Sequence, residues 1–147
     1  MLLGNFFGHI GLGRQSGFSL TGGSDEPFVE RQALEFAHDF AAVRDSGPEL
    51  FYQGAIAARS LGADPVKMDR VIPHQANGRM DELLGPFLGV DPAKIFVNAN
   101  RLGNTGSAAI WLALAQLRSK LDSGANVLAL GAEATKFMFG GFRYIHG

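Results

Sequence analysis

From residue 48 onward the chain alternates between two hydrophobic rhythms, and this alternation restricts the fold more than any other feature. PELFYQGAIAARSLG opens with Pro48 and Glu49 and closes at Gly62, with Leu50, Gly54, Ala57 and Leu61 on one helical face. RVI (70–72) reads as a short buried strand. GRMDELLGPFLG sets Met80, Leu83, Leu84, Phe87 and Leu88 at helical spacing. Pro86 inside that pattern predicts a kink or break near Leu84, because proline lacks the N–H and crowds the preceding turn. KIFVNA (94–99) predicts the next strand, and a helix over about 106–120 puts Ile110, Leu114, Leu117 and Leu121 on one stripe. NVLALGA (126–132) and KFMFGGFRYI (136–145) predict two further strands, with Gly140 and Gly141 marking a bulge in the second. Helix, strand, helix, strand, helix, strand, strand is the order of an α/β layer, and the terminal pair predicts one antiparallel edge.

The N-terminal third has weaker patterning. Residues 6–12 and 17–21 predict two extended pieces around the polar turn RQSG, and TGGSDEP (21–27) predicts a loop. Residues 28–41, apolar at Phe28, Leu34, Phe36 and Phe40, predict a short helix. The opening MLLGNFFGHIGLG is apolar but glycine-dotted and has no charged leading region, so it reads as a strand and not as a signal peptide. The length of 147 residues predicts one domain over 1–147, and 46% hydrophobic residues suffice for its core.

Composition removes several functions. The formal charge is −1 and Lys and Arg form no stripe, which argues against nonspecific nucleic-acid binding. No apolar run approaches the ~18 residues that a membrane helix needs. The chain has no cysteine, so it supplies no disulfide, no thiolate metal site and no thiol nucleophile, and it is compatible with a cytoplasmic location. There is no G-x-S-x-G elbow, no GK[ST] loop and no histidine pair at metal-ligand spacing, so a serine hydrolase, an NTPase and a zinc enzyme lack support. GLGRQSG has the wrong spacing for a dinucleotide loop, and no helical pattern follows it.

His74 is different from the other histidines. It follows the predicted strand 70–72 directly after Pro73, which biases Ile72 to an extended conformation and ends the ladder. Asn104 lies in NANRLGNTGS, the loop after the strand at 94–98. One helix joins the two strands, so they should be parallel and open at the same end of the sheet, where ligands usually bind. Thr105 to Ala109 are small residues at a predicted helix start, where free N–H groups favour negative charge. His9, His38 and His146 carry no such context and read as structural.

PHQAN followed by GNTGSAA resembles the C-terminal half of the β-ketoacyl-acyl-carrier-protein synthase III family, of the thiolase-like fold. The resemblance covers roughly residues 46–131 together with the last strand, and QAN with Arg79 favours this branch over thiolases and hydroxymethylglutaryl-CoA synthases. It implies an α/β fold: a thiolase-like C-terminal half with a mixed five-stranded sheet covered by helices. It implies decarboxylative Claisen condensation of an acyl group, taken from acyl-CoA by a cysteine on the N-terminal half, with malonyl-acyl carrier protein. The family's histidine and asparagine correspond to His74 and Asn104, and the docking segment for carrier protein or CoA to Gln75, Ala76, Asn77 and Arg79. Arg79, Arg101 and Lys94 are the local basic candidates for an acidic carrier. The implied partners are acyl carrier protein, acyl-CoA and a cysteine-bearing N-terminal half, in a cytoplasmic homodimer of fatty acid biosynthesis that needs no metal or other cofactor.

The chemistry can be argued without the resemblance. Losing CO2 from a malonyl thioester puts negative charge on the thioester oxygen, and two fixed N–H donors, one imidazole and one amide, can hold that enolate. Asparagine suits the role because it donates without titrating. Three departures from the family matter: the chain lacks a cysteine, Gly78 replaces a leucine-like residue, and GAEATKF replaces a glycine-rich turn that lines the acyl pocket. By itself the chain is expected to be inactive in condensation and, as a half-fold, to self-associate through an exposed apolar face. The alternative is a noncatalytic docking subunit that pairs with a cysteine-bearing partner; a thiolase-like relative using CoA throughout is weaker. On the bland reading, Gln75 and Asn77 only satisfy backbone groups, with Asn77 as an N-cap. Likewise Asn104 is only a turn residue and Arg79 only a solvated one.

Overall fold

The computed structural model describes residues 1–11, 17–19, 36–133 and 137–147. Asp39 is extended, and its carboxylate accepts a hydrogen bond from the Ala42 N–H, so the first long helix, α1 (Phe40–Ser60), begins there and not at Pro48. This N-cap satisfies a donor that the first turn leaves open, and Pro48 forfeits one ladder bond inside the helix. Most of the helix expected over 28–41 lies outside the described residues. Of its described part, Phe36–His38 (β3) is a strand paired antiparallel with Gly17–Ser19 (β2), and residues 40–41 are the first of α1.

Among the described residues the main sheet has four strands: β1 (Leu2–His9), β4 (Arg70–Pro73), β5 (Asn126–Glu133) and β6 (Met138–Ile145), in the order β1-β6-β5-β4. β4 and β5 are parallel, and both pairings of β6 are antiparallel. The sheet is therefore mixed, as expected for this α/β class. The expected fifth strand is reduced to one parallel bridge, Val71 to Ile95, with the Phe96 N–H donating to the Val71 carbonyl at 2.8 Å. An Asp91-capped 3-10 turn (Pro92–Lys94) precedes it and the short helix α3 (Ala99–Leu102) follows, leaving too few extended residues for a ladder.

The bulge lies in β1 and not at Gly140–Gly141. Register shifts between Leu3 and Asn5, and the intervening Gly4 has φ +62°, a conformation glycine adopts without strain. Gly140 and Gly141 pair regularly; a Cβ on Gly141 would lie 2.1 Å from the Ala129 carbonyl oxygen and 2.7 Å from Phe6 Cζ. That close approach explains the glycine.

α2 (Met80–Leu88) continues through Pro86 instead of breaking near Leu84. Pro86 lies in the last turn, so only one intrahelical bond is lost, while Met80, Leu84 and Leu88 all stay buried. Left-handed Gly89 ends the helix, and its N–H and that of Val90 both donate to the Gly85 carbonyl. The helix expected over 106–120 is split: Gly106, with φ +60°, starts a 3-10 turn, and α4 (Ala109–Arg118) follows.

β5 is the centre of the core. Val127, Leu128, Ala129 and Leu130 are fully buried, because helices cover both faces. Leu128 and Leu130 pack with Phe51 and Ala55 of α1 and Leu84 and Leu88 of α2, whereas Val127 joins Ala113, Leu114 and Leu117 of α4. Burying a Val or Leu side chain contributes about 1.5–3 kcal/mol, which anchors β5 in the core. No helix among the described residues is long and apolar enough to cross a membrane.

Candidate active site

Pro73, fully buried, is the last residue of β4, and His74 emerges directly from it. The His74 N–H still donates to the Leu130 carbonyl, at 2.6 Å, so its backbone is held against β5. The imidazole is half-buried and lines a cavity of about 1140 Å³. Asn104, exposed in the loop after α3, lines the same cavity. Its Oδ1 accepts from the Gly106 N–H at 3.0 Å, which ties down the carbonyl and leaves the NH2 group to donate. The segments at 70–73 and 95 run parallel, and His74 and Asn104, which follow them, both line this cavity.

Burial pushes the His74 pKa below its ordinary value of 6.5, and the negative charge of Glu133 partly opposes the shift. Desolvation disfavours the imidazolium. At neutral pH the ring is then neutral, with one N–H donor and one acceptor nitrogen. Glu133 is the last residue of β5, is exposed, and lines the cavity with His74. Sequence reasoning passed over it, although the rule that picked His74 and Asn104, looking at strand carboxyl ends, also reaches this residue.

The four residues read as a docking segment divide. Ala76 and Asn77 are exposed and line the cavity; Arg79 is exposed and ion-pairs with Glu82 at 2.7 Å. Gln75 is not at the surface: its exposure is 0%, which rules out contact with a macromolecular partner. Its Nε2 donates to the carbonyls of Pro73 (2.8 Å) and Phe96 (3.0 Å). Its Oε1 accepts from the N–H groups of Asn98 (2.7 Å) and Ala99 (3.3 Å). Asn77 does not cap α2 either; its Oδ1 accepts from the Arg79 N–H, and Arg79 occupies the N-cap position without a side-chain cap bond.

Two supports were not visible in the sequence. Asn98 is 3% exposed and its Nδ2 donates to Gln116 Oε1 at 3.2 Å, joining the loop before α3 to α4. Gly78 packs on Asn100: a Cβ there would lie 2.9 Å from Asn100 Cα, so the leucine-like residue of the resembled family has no room. Of the basic candidates, Arg101 is exposed, and Lys94 donates to the Met68 carbonyl at 3.3 Å. Among the described residues no group of three or more His, Asp or Glu side chains could hold a metal ion.

Comparison with known proteins adds independent findings. Residues 58–138 match the family described as 3-oxoacyl-[acyl-carrier-protein (ACP)] synthase III C terminal. The β-ketoacyl-[acyl-carrier-protein] synthase III of Nitratidesulfovibrio vulgaris (strain DSM 19637 / Miyazaki F) is 40% identical over 133 residues, covering 84% of this chain and 37% of that protein. The enzyme of the same name from Oleidesulfovibrio alaskensis is 36% identical over 118 residues, covering 80% and 32%. The chain thus spans about a third of the length of these relatives. Among solved structures, the 3-oxoacyl-(acyl carrier protein) synthase III of Pseudomonas aeruginosa PAO1 aligns with a TM-score of 0.79 at 25% identity, covering 99% of this chain and 44% of that one. The synthase III of Thermus thermophilus aligns with a TM-score of 0.77 at 20% identity, covering 99% and 46%, which shows the shared thiolase-like fold.

Proposed function

The chain belongs to the 3-oxoacyl-[acyl-carrier-protein] synthase III C-terminal family, and from this premise we propose that it supplies the enolate-stabilising side of a condensing enzyme. The substrates are an acyl group delivered as acyl-CoA and a malonyl group on acyl carrier protein. The carrier protein is the one named by the relatives. The chain has no cysteine, so the acylated thiol comes from outside these 147 residues. No cofactor beyond the thioester substrates enters the chemistry.

In the proposed reaction the malonyl C–CO2 bond breaks and its electron pair moves into the thioester, forming an enolate. The His74 N–H and the Asn104 Nδ2 group donate to the enolate oxygen. The enolate carbon attacks the acyl-cysteine carbonyl, the tetrahedral adduct expels the thiolate, and the β-ketoacyl carrier thioester remains. The observation that carries this reading is that His74 and Asn104 line the same cavity. The lowered pKa of His74 supports it, because the ring is a neutral donor at working pH. The full assembly is a cytoplasmic homodimer, with Arg79 as its carrier contact. This chain alone does not condense.

The test joins the chain to the cysteine-bearing N-terminal portion of a synthase III and follows CO2 release and product formation from malonyl-carrier protein. His74→Ala and Asn104→Ala should each cost about 10²–10³ in kcat. Turnover that survives His74→Ala refutes the assignment. Carrier binding with no CO2 release in any combination would favour a docking subunit instead.

A further inference from the structure

The backbone ladder that should unite the two halves of the site is missing. Beyond the Val71–Ile95 bridge, β4 makes no further strand pairing with the segment that leads to Asn104. Pro73 has no N–H to offer there. α3, which connects that segment to the Asn104 loop, has no cap from its own N-cap residue, since the Asn98 side chain makes no cap bond. Helix starts leave N–H groups open, and a buried open N–H is costly.

The Gln75 carboxamide occupies this gap. It donates both amide hydrogens and receives two N–H bonds, so its hydrogen-bonding capacity is fully used. Two of its partners, Asn98 and Ala99, are the open donors at the start of α3. The other two are carbonyls on either side of the interrupted ladder, Pro73 directly before His74 and Phe96 on the opposite segment. Gly78 against Asn100 brings the same two loops together a second time.

We propose that Gln75 is a positioning residue: its buried carboxamide replaces the missing ladder and holds the strand end carrying His74 in register with the α3 segment carrying Asn104. The inference rests on the proposed roles of those two residues for its consequence in catalysis, and on the four hydrogen bonds for its geometry. A glutamine suits the place because one planar group offers two donors and two acceptor sites without charge. A carboxylate would set its oxygens against the Pro73 and Phe96 carbonyls, and an aliphatic chain would leave four buried backbone groups open.

The experiment compares the 147-residue chain with Gln75→Met, which keeps the volume, and Gln75→Asn, which keeps the amide but shortens its reach. NMR follows the His74 imidazole titration, the Asn104 side-chain amide and the Asn98 and Ala99 backbone amides. In the variants the His74 and Asn104 signals should move together, with graded effect from Asn to Met, and the Asn98 and Ala99 amides should lose exchange protection. A lower melting temperature with His74 and Asn104 unmoved would overturn the proposal and leave Gln75 as ordinary core. If neither variant folds, the wild-type chain decides: Asn98 must exchange as slowly as Leu128 of β5, and exchange as fast as exposed Asn77 would refute the clamp. In the enzyme joined to its cysteine-bearing portion, Gln75→Asn should lower kcat about 10²-fold with little change in KM, the cost of a small misplacement of catalytic groups. The outcomes separate: survival of turnover in His74→Ala defeats the proposed function and leaves the clamp standing, whereas uncoupled NMR signals defeat the clamp alone.

Discussion

His74 and Glu133 stand at the carboxyl ends of two adjacent parallel strands and line one cavity, the first half-buried and the second exposed. Burial and the carboxylate act on the imidazole in opposite directions, and burial is the larger effect. The titration of His74 should therefore fall below 6.5 when followed by its ring protons. Glu133→Gln removes the opposing charge and should lower it further. A pKa that rises in that variant would mean the carboxylate does not face the ring.

The same shift makes stability depend on pH. A histidine whose pKa is lower in the folded than in the unfolded state binds fewer protons when folded, so stability rises with pH between the two values. The contribution is complete above about 6.5 and is lost as pH falls through the folded value. His74→Gln should flatten this part of the profile in urea titrations run from pH 7.5 down through the acid limb. An unchanged slope would show that other groups control it.

Two glycines should respond with opposite signs to the same substitution. Gly141→Ala would press a Cβ to 2.1 Å from the Ala129 carbonyl oxygen, so β5 and β6 must separate, at a cost of about 1–3 kcal/mol or more. Gly54→Ala, inside α1, where the new Cβ would meet only ordinary contacts, the nearest Leu130 Cδ2 at 3.6 Å, should stabilise by about 0.4–1 kcal/mol. Chemical denaturation measures both, and equal signs would contradict the packing described.

Asp39→Ala removes the carboxylate that accepts from Ala42 and should cost about 0.5–2 kcal/mol. Exchange of the first-turn amides of α1 should accelerate more than exchange near Leu50. Uniform loss across the helix would argue against a local cap.

Arg79 pairs with Glu82 at the surface, an interaction worth about 0–1 kcal/mol. Arg79→Ala should leave the melting temperature nearly unchanged while weakening carrier-protein binding most at low salt, as measured by calorimetry. Binding that is unaffected at every ionic strength would remove Arg79 from the docking surface.

Much of the fold can be read along the chain because it depends on local periodicity. The runs at 80–88 and 126–132 report which faces are buried, and that suffices to order helices and strands and to send His74 and Asn104 toward one end of the sheet. Proline was less decisive than its local chemistry suggests. At Pro48 and Pro86 the buried helix faces outweigh one lost bond each, so α1 starts early and α2 runs through.

What the amino-acid order determined by itself was the alternation of layers and the approach of His74 and Asn104 to one cavity, since both follow from spacing and residue type. Only the tertiary structure decided that the fifth strand shrinks to one bridge, that the bulge falls at Gly4, and that Gln75 turns inward to satisfy backbone groups of residues 73, 96, 98 and 99. A hydrogen bond to a residue 23 positions away has no signature in local sequence. It forms because burial leaves backbone polar groups without water, and the nearest side chain able to pair with them must do so.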